Sequence, residues 1–97
     1  AAKQNYLNAL FGLGIMYYEG IGITKNYKES AEYFERAAEK GCADAQAVLA
    51  AMYYEGVGVA QNYRKAAKWF SRSSHQGNLE SQHYLHTLCF ERPSACR

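Results

Sequence analysis

The sequence predicts an all-α fold: an α-α superhelix, or solenoid, of antiparallel helix hairpins about two and a half 36-residue repeats long. Two observations carry this expectation. The chain aligns with itself at a spacing of 36 residues without a gap, and apolar residues recur in each copy at helical spacing between fixed glycines and asparagines. Proline occurs once, at Pro93, so no imino ring interrupts a helix before the C-terminus.

Residues 6–41 align with 42–77. Identical pairs are Ala9/Ala45, Leu13/Leu49, Met16/Met52, Tyr17/Tyr53, Tyr18/Tyr54, Glu19/Glu55, Gly20/Gly56, Gly22/Gly58, Asn26/Asn62, Tyr27/Tyr63, Ala31/Ala67, Phe34/Phe70, Arg36/Arg72 and Gly41/Gly77, or 14 of 36. A third copy starts at Asn78 and keeps Gln82, Leu85 and Glu91, then reads Arg92-Pro93 where the others have a glycine. One domain is expected over 1–97, with repeats at about 6–41 and 42–77, a partial repeat at 78–91 and a tail at 92–97.

Each copy reads as helix A, loop, helix B. Helix A of the second copy presents Ala45, Leu49, Met52 and Tyr53 on one apolar face, with Ala50 (Gly14 in the first copy) small enough for a partner helix to come close. Gly56 ends the helix. Val57 and Val59 in the loop are expected to plug the open end of the hairpin. Asn62 suits an N-cap, because its side-chain oxygen can accept a free backbone N–H. Helix B then turns Ala66, Ala67, Phe70 and Ser74 inward, and Gly77 closes it. Helices are predicted at 3–19, 27–40, 43–55, 63–76 and 79–91. A single hairpin cannot bury its apolar face, so the repeats must stack.

Composition excludes several classes. Hydrophobic residues make up 48%, a globular proportion. A net charge of +2, from 11 basic and 9 acidic residues, is too balanced to imply nucleic acid or an anionic membrane as partner. No apolar run is long enough to insert in a membrane, and the first residues have no secretion-signal pattern. They read as the start of an excised piece, which leaves targeting open. Cys42, Cys89 and Cys96 make an odd set rather than a disulfide framework, although Cys89 and Cys96 could pair if the tail folds back.

The run Leu49-Ala50 and Met52 through Val59, followed by Asn62, Tyr63, Lys65, Ala66, Ala67, Trp69, Phe70 and Gly77, resembles the Sel-one-like repeat, a relative of the tetratricopeptide repeat. So does Leu13 through Gly22. The resemblance covers about residues 6–91. It implies a protein-binding adaptor, like members in bacterial signalling and host interaction or in protein quality control at the endoplasmic reticulum. Some bacterial members staple their repeats with cysteines; Ala38 and Ala45, then Ser74 and Ser81, stand in those neighbourhoods here.

In tetratricopeptide arrays the helix A face turned from the core lines a concave groove, and the resemblance implies the same here. Rotation at about 100° per residue assigns to that face Phe11, Ile15, Tyr18 and Glu19, then Ala47, Ala51, Tyr54 and Glu55, then His83, Thr87, Phe90 and Glu91. A groove of this kind would hold a peptide or helix of another protein. One rival is a structural segment of a longer array with no ligand of its own. The other is a metal- or cofactor-binding assembly factor using His83, His86 and Cys89, which share part of a helical face but lack a fourth ligand. The ends suggest self-association, through Leu7 and Leu10 on the first helix and Tyr84 and Leu88 on the last.

No catalytic set is expected. Ser71, Ser73 and Ser74 lie near His75 without an acid to complete a triad. Gly20-Ile21-Gly22 follows a helix and lacks the third glycine of a phosphate loop. Lys25, Lys28, Arg64, Lys65 and Lys68 read as a solvated basic face. No cofactor is expected, and the chain is read as a binding protein rather than an enzyme.

Overall fold

Helix boundaries fall where a side chain or a glycine satisfies the free backbone groups. The computed structural model describes residues 2–97. It contains α1 (Ala2–Glu19), α2 (Tyr27–Glu39), α3 (Ala43–Glu55), α4 (Tyr63–His75), α5 (Leu79–Glu91) and a 3-10 turn (Pro93–Cys96), with no strand among the described residues. Asn26 and Asn62 cap α2 and α4, their Oδ1 atoms each accepting the N–H three residues on at 3.0 Å. Asn78 does the same for α5, from the Ser81 N–H at 2.8 Å. The two long loops are near copies. The Gly20 and Gly56 N–H groups donate to the carbonyls of Met16 and Met52, both at 2.7 Å.

Consecutive helices pack on one another, α1 on α2 through α4 on α5. The A helices (α1, α3, α5) form one layer and the B helices (α2, α4) the other, in a slab of 39 × 30 × 17 Å. The core lies between the layers. Phe34, Leu49 and Leu88 are fully enclosed there with Met52, Phe70 and a run of buried alanines. Each large apolar side chain so enclosed contributes about 1.5–3 kcal/mol. The alanines set the spacing. At Gly14 even a methyl is too large, because a Cβ would sit 2.6 Å from the Phe34 ring. One buried serine per hairpin ties helix B to helix A. Ser30 Oγ donates to the Gly14 carbonyl at 2.6 Å, and Ser73 Oγ donates to the Ala43 carbonyl at 2.8 Å.

Besides the packing of α2 on α3, the repeats dock through backbone. Gly58, at φ +74°, lies against the carbonyl of Tyr27 at the start of α2, and a Cβ there would overlap that carbonyl group, with its carbon at 2.7 Å. Val57 and Val59 beside it are half-buried against the core, as their plugging role requires.

Two sequence expectations are corrected. Ser73, not Ser74, is the inner serine of α4, because the buried stripe runs Ala66, Phe70, Ser73 at i, i+4, i+7. Ser74 is half-buried and donates to the Ser71 carbonyl. Leu7, Leu10 and Leu88 do not form outer faces for self-association. All three are buried, Leu10 and Leu88 as members of the core cluster, and Tyr84 is exposed but stacks on Phe70 at 5.4 Å between ring centroids. The large apolar groups exposed on α5 are Leu79, Tyr84 and Phe90.

The tail does fold back. Arg92 takes φ −136° where Gly56 takes +74°, so the chain leaves α5 in a different direction. Its guanidinium lies 4.1 Å from the Tyr63 ring centroid. The 3-10 turn packs on both α4 and α5, buries Ala95, and is held by a disulfide between Cys89 and Cys96. Cys42 is free and half-buried.

Candidate functional site

The face of the A-helix layer differs between repeats at two positions. Phe11 and Ile15 of α1 correspond to Ala47 and Ala51 of α3. Phe11 lies against Phe34 at 5.5 Å between centroids and covers it. The alanines give Phe70, the counterpart of Phe34, no such cover from helix A; Tyr84 of α5 stacks on it instead, at 5.4 Å between centroids, and Phe70 stays buried. Two adjoining hollows of about 120 and 220 Å³ open there between α3 and α5. Phe70 lies in both, flanked by Ala51 and Tyr84; Ala47, Val48, Tyr54, Glu55, Glu80 and Ser81 complete the walls. The lining is mostly apolar. Small-molecule pockets run from about 300 Å³ upward, so these hollows suit one or two inserted side chains rather than a cofactor.

Ser81 stands out in this lining. It is fully buried, and its Oγ has no hydrogen-bond partner among the described residues. Its counterpart is Ala45, which is equally buried and needs none. A buried hydroxyl left unpaired costs about 1–3 kcal/mol.

Ala47, Ala51, Tyr54 and Glu55 thus lie together on α3 as expected from rotation. Phe11, Ile15, Tyr18 and Glu19 occupy the same stripe on α1, where Phe11 and Ile15 pack on the core and Tyr18 meets the Tyr27 ring at 5.0 Å. Tyr54 meets Tyr63 likewise at 5.4 Å. His83, Thr87, Phe90 and Glu91 do not line the hollows. On α5 the wall comes from Glu80, Ser81 and Tyr84, one step around the helix, because a helix A faces its predecessor with a different edge from the one it turns to its successor. Tyr84, Val48 and Phe70 were not among the expected site residues. The signal was present in the loss of bulk from Phe11 to Ala47 and from Ile15 to Ala51.

The metal candidate fails. Cys89 is bonded to Cys96 and offers no thiolate, and no group of three His, Cys, Asp or Glu able to hold a metal occurs among the described residues. His86 is exposed because no second helix covers α5 there. On the opposite layer the cations of α4 stand over aromatic rings. Lys65 is 5.3 Å from the Tyr53 centroid and Arg72 is 4.8 Å from that of Trp69. Two further openings, of about 360 and 420 Å³, lie beside the clasped tail, the first of mixed and the second of mostly polar lining, rimmed by Arg64, Lys68, Arg92 and Arg97. They mark where the tail incompletely covers α4 and α5, and their rims are exposed side chains. No helix is long and apolar enough to cross a membrane.

Comparison with known proteins agrees with this architecture. A family model described as the Sel1 repeat matches residues 7–42 and 43–78. Among solved structures, a Sel1 repeat protein from Oxalobacter formigenes superposes with a TM-score of 0.82 at 36% identity, over 84% of this chain and 61% of that one. A protective antigen of uropathogenic Escherichia coli that displays an SLR fold gives 0.87 at 34% identity, over 93% of this chain and 19% of that one. Cysteine-rich protein B of Helicobacter pylori gives 0.80 at 27% identity, over 84% and 61%. The chain therefore spans less than two thirds of each of these structures. No curated protein sequence gives a significant match. Repeats of this kind mediate protein–protein interactions. With two matched repeats, the hairpin stack and these superpositions in agreement, the chain belongs to the Sel1 repeat family.

Proposed function

We propose that the chain is a protein–protein interaction scaffold without catalytic activity, and that it holds a segment of another protein in the groove between α3 and α5. The observation that carries this reading is the pair of hollows beside Tyr84, left by Ala47 and Ala51 where the first repeat has Phe11 and Ile15. An anchor side chain entering from outside would bury the exposed ring of Tyr84, and buried aromatic contacts dominate binding energy at interfaces. The hollows are side-chain sized, so an extended peptide or a single helix fits better than a broad globular surface.

The test restores the first repeat's own residues. Ala47→Phe with Ala51→Ile should fill the hollows beside Tyr84, since both positions line them and neither is among the buried residues of α3. Affinity capture with the parent protein should then lose the partner that the unaltered protein retains. An unchanged partner list, with the variant shown folded by circular dichroism, would remove the groove from consideration and favour a segment that only spaces its neighbours in a longer array.

A further inference from the structure

Resting on that groove reading, we infer that the occupant is a cationic segment that inserts one apolar side chain into the hollows beside Tyr84 and places flanking Lys or Arg residues against Glu55 and Glu80. Three observations lead to this chemistry. First, charge differs between the helices that meet at the groove and the one behind them. Helices α3 and α5 carry Asp44, Glu55, Glu80 and Glu91 and no lysine or arginine, while α4 carries Arg64, Lys65, Lys68 and Arg72 and no carboxylate. Second, the charged side chains lining the two hollows are Glu55 and Glu80, one beside each, with the apolar Phe70 floor between them. The two histidines of α5, His83 and His86, line neither. Third, the buried Ser81 hydroxyl in the wall lacks a partner, and a peptide backbone passing along the groove would supply one. An acidic segment would meet like charge at both ends of the seat. A purely apolar one would leave the carboxylates and the hydroxyl unanswered.

The experiment titrates the ¹⁵N-labelled protein with three acetylated, amidated peptides. One alternates lysine with a central leucine, one has glutamate in place of every lysine, and one has glycine in place of the leucine. The lysine–leucine peptide should shift the amides of Ala47, Ala51, Ser81 and Tyr84. The glutamate peptide should leave them unmoved, and loss of the leucine should weaken binding by about tenfold. Glu80→Gln should weaken the first peptide by about threefold to fivefold. Ser81→Ala should weaken it too while leaving the protein at least as stable, a combination that a merely structural serine would not give.

Equal binding of the glutamate peptide at the same amides would overturn the charge assignment and leave the groove reading standing. Shifts confined to Arg64, Lys68 and the tail would overturn both. Failure of all three peptides to bind would overturn the inference alone, since the Ala47→Phe capture experiment tests the groove separately.

Discussion

Gly22 and Gly58 offer a controlled pair of substitutions. They hold the same place in the two loops and nearly the same backbone, at φ +75° and +74°. Their surroundings differ. Nothing lies within 4 Å of a Cβ built on Gly22, whereas one on Gly58 runs into the Tyr27 carbonyl of the preceding repeat. Gly22→Ala should therefore cost only the left-handed conformation, about 1–2 kcal/mol. Gly58→Ala incurs the same cost plus a collision with main chain that has no rotamer to escape through, for which about 1–3 kcal/mol is usual. The second variant should thus lose about 2–5 kcal/mol. For a domain of this size each kcal/mol moves Tm by about 4–8 °C. Thermal unfolding followed by circular dichroism should place the Gly58 variant at least about 4 °C below the Gly22 variant. Amide exchange in the first turn of α2 should rise in the Gly58 variant alone. If the two variants melt together, the loop does not dock the repeats, and the close approach at Tyr27 is incidental.

Three further outcomes are expected. Asn62→Ala removes the acceptor for the Lys65 N–H and should cost about 1 kcal/mol in chemical denaturation; an unchanged midpoint would mean the cap is dispensable. Replacing Cys89 and Cys96 with serine opens a loop of sequence separation 7, for which loop closure gives up to about 2.5 kcal/mol, and exchange should accelerate at Ala95 and Leu88; protection equal to the parent would show that packing alone holds the tail. Burial, aided by Glu35 and Glu39, holds the Tyr53 phenol above its ordinary 10.0. The unfolded chain then releases this proton at lower pH than the native state does. The stability it contributes is complete below pH 10.0 and is lost as pH rises through the native value, so Tyr53→Phe should flatten the alkaline fall in stability.

The hairpins were legible because their signals are local. Asn62 caps, Gly56 stops and the Ala45–Leu49–Met52 stripe points inward, all within a few residues of one another. The same stripe rule misplaced Ser74, since a helix of 13 residues leaves two neighbouring serines competing for one inward position. Of the hollows on which the proposed groove rests, the α3 wall was legible and the α5 wall was not. That far wall depends on which edge α5 turns toward α3, and that is set by packing on α4 rather than by anything in residues 79–91. Leu7, Leu10 and Leu88 look like exposed end faces in sequence because the helix and tail that cover them are distant or irregular. The closure of Cys89 on Cys96 could only be left open, because it needs the direction in which Arg92 sends the chain.

The seating of Gly58 on Tyr27 has a consequence for how such an array diverges. Its reference surface is peptide group on peptide group, so this point of contact does not itself depend on what stands at positions 11, 15, 47 or 51. Side chains on the inner wall differ, bulky in one hairpin and small in the next, while the loop that seats one hairpin on the other keeps the same glycine conformation. Recognition and geometry are in that sense encoded by separate residues of the same short unit.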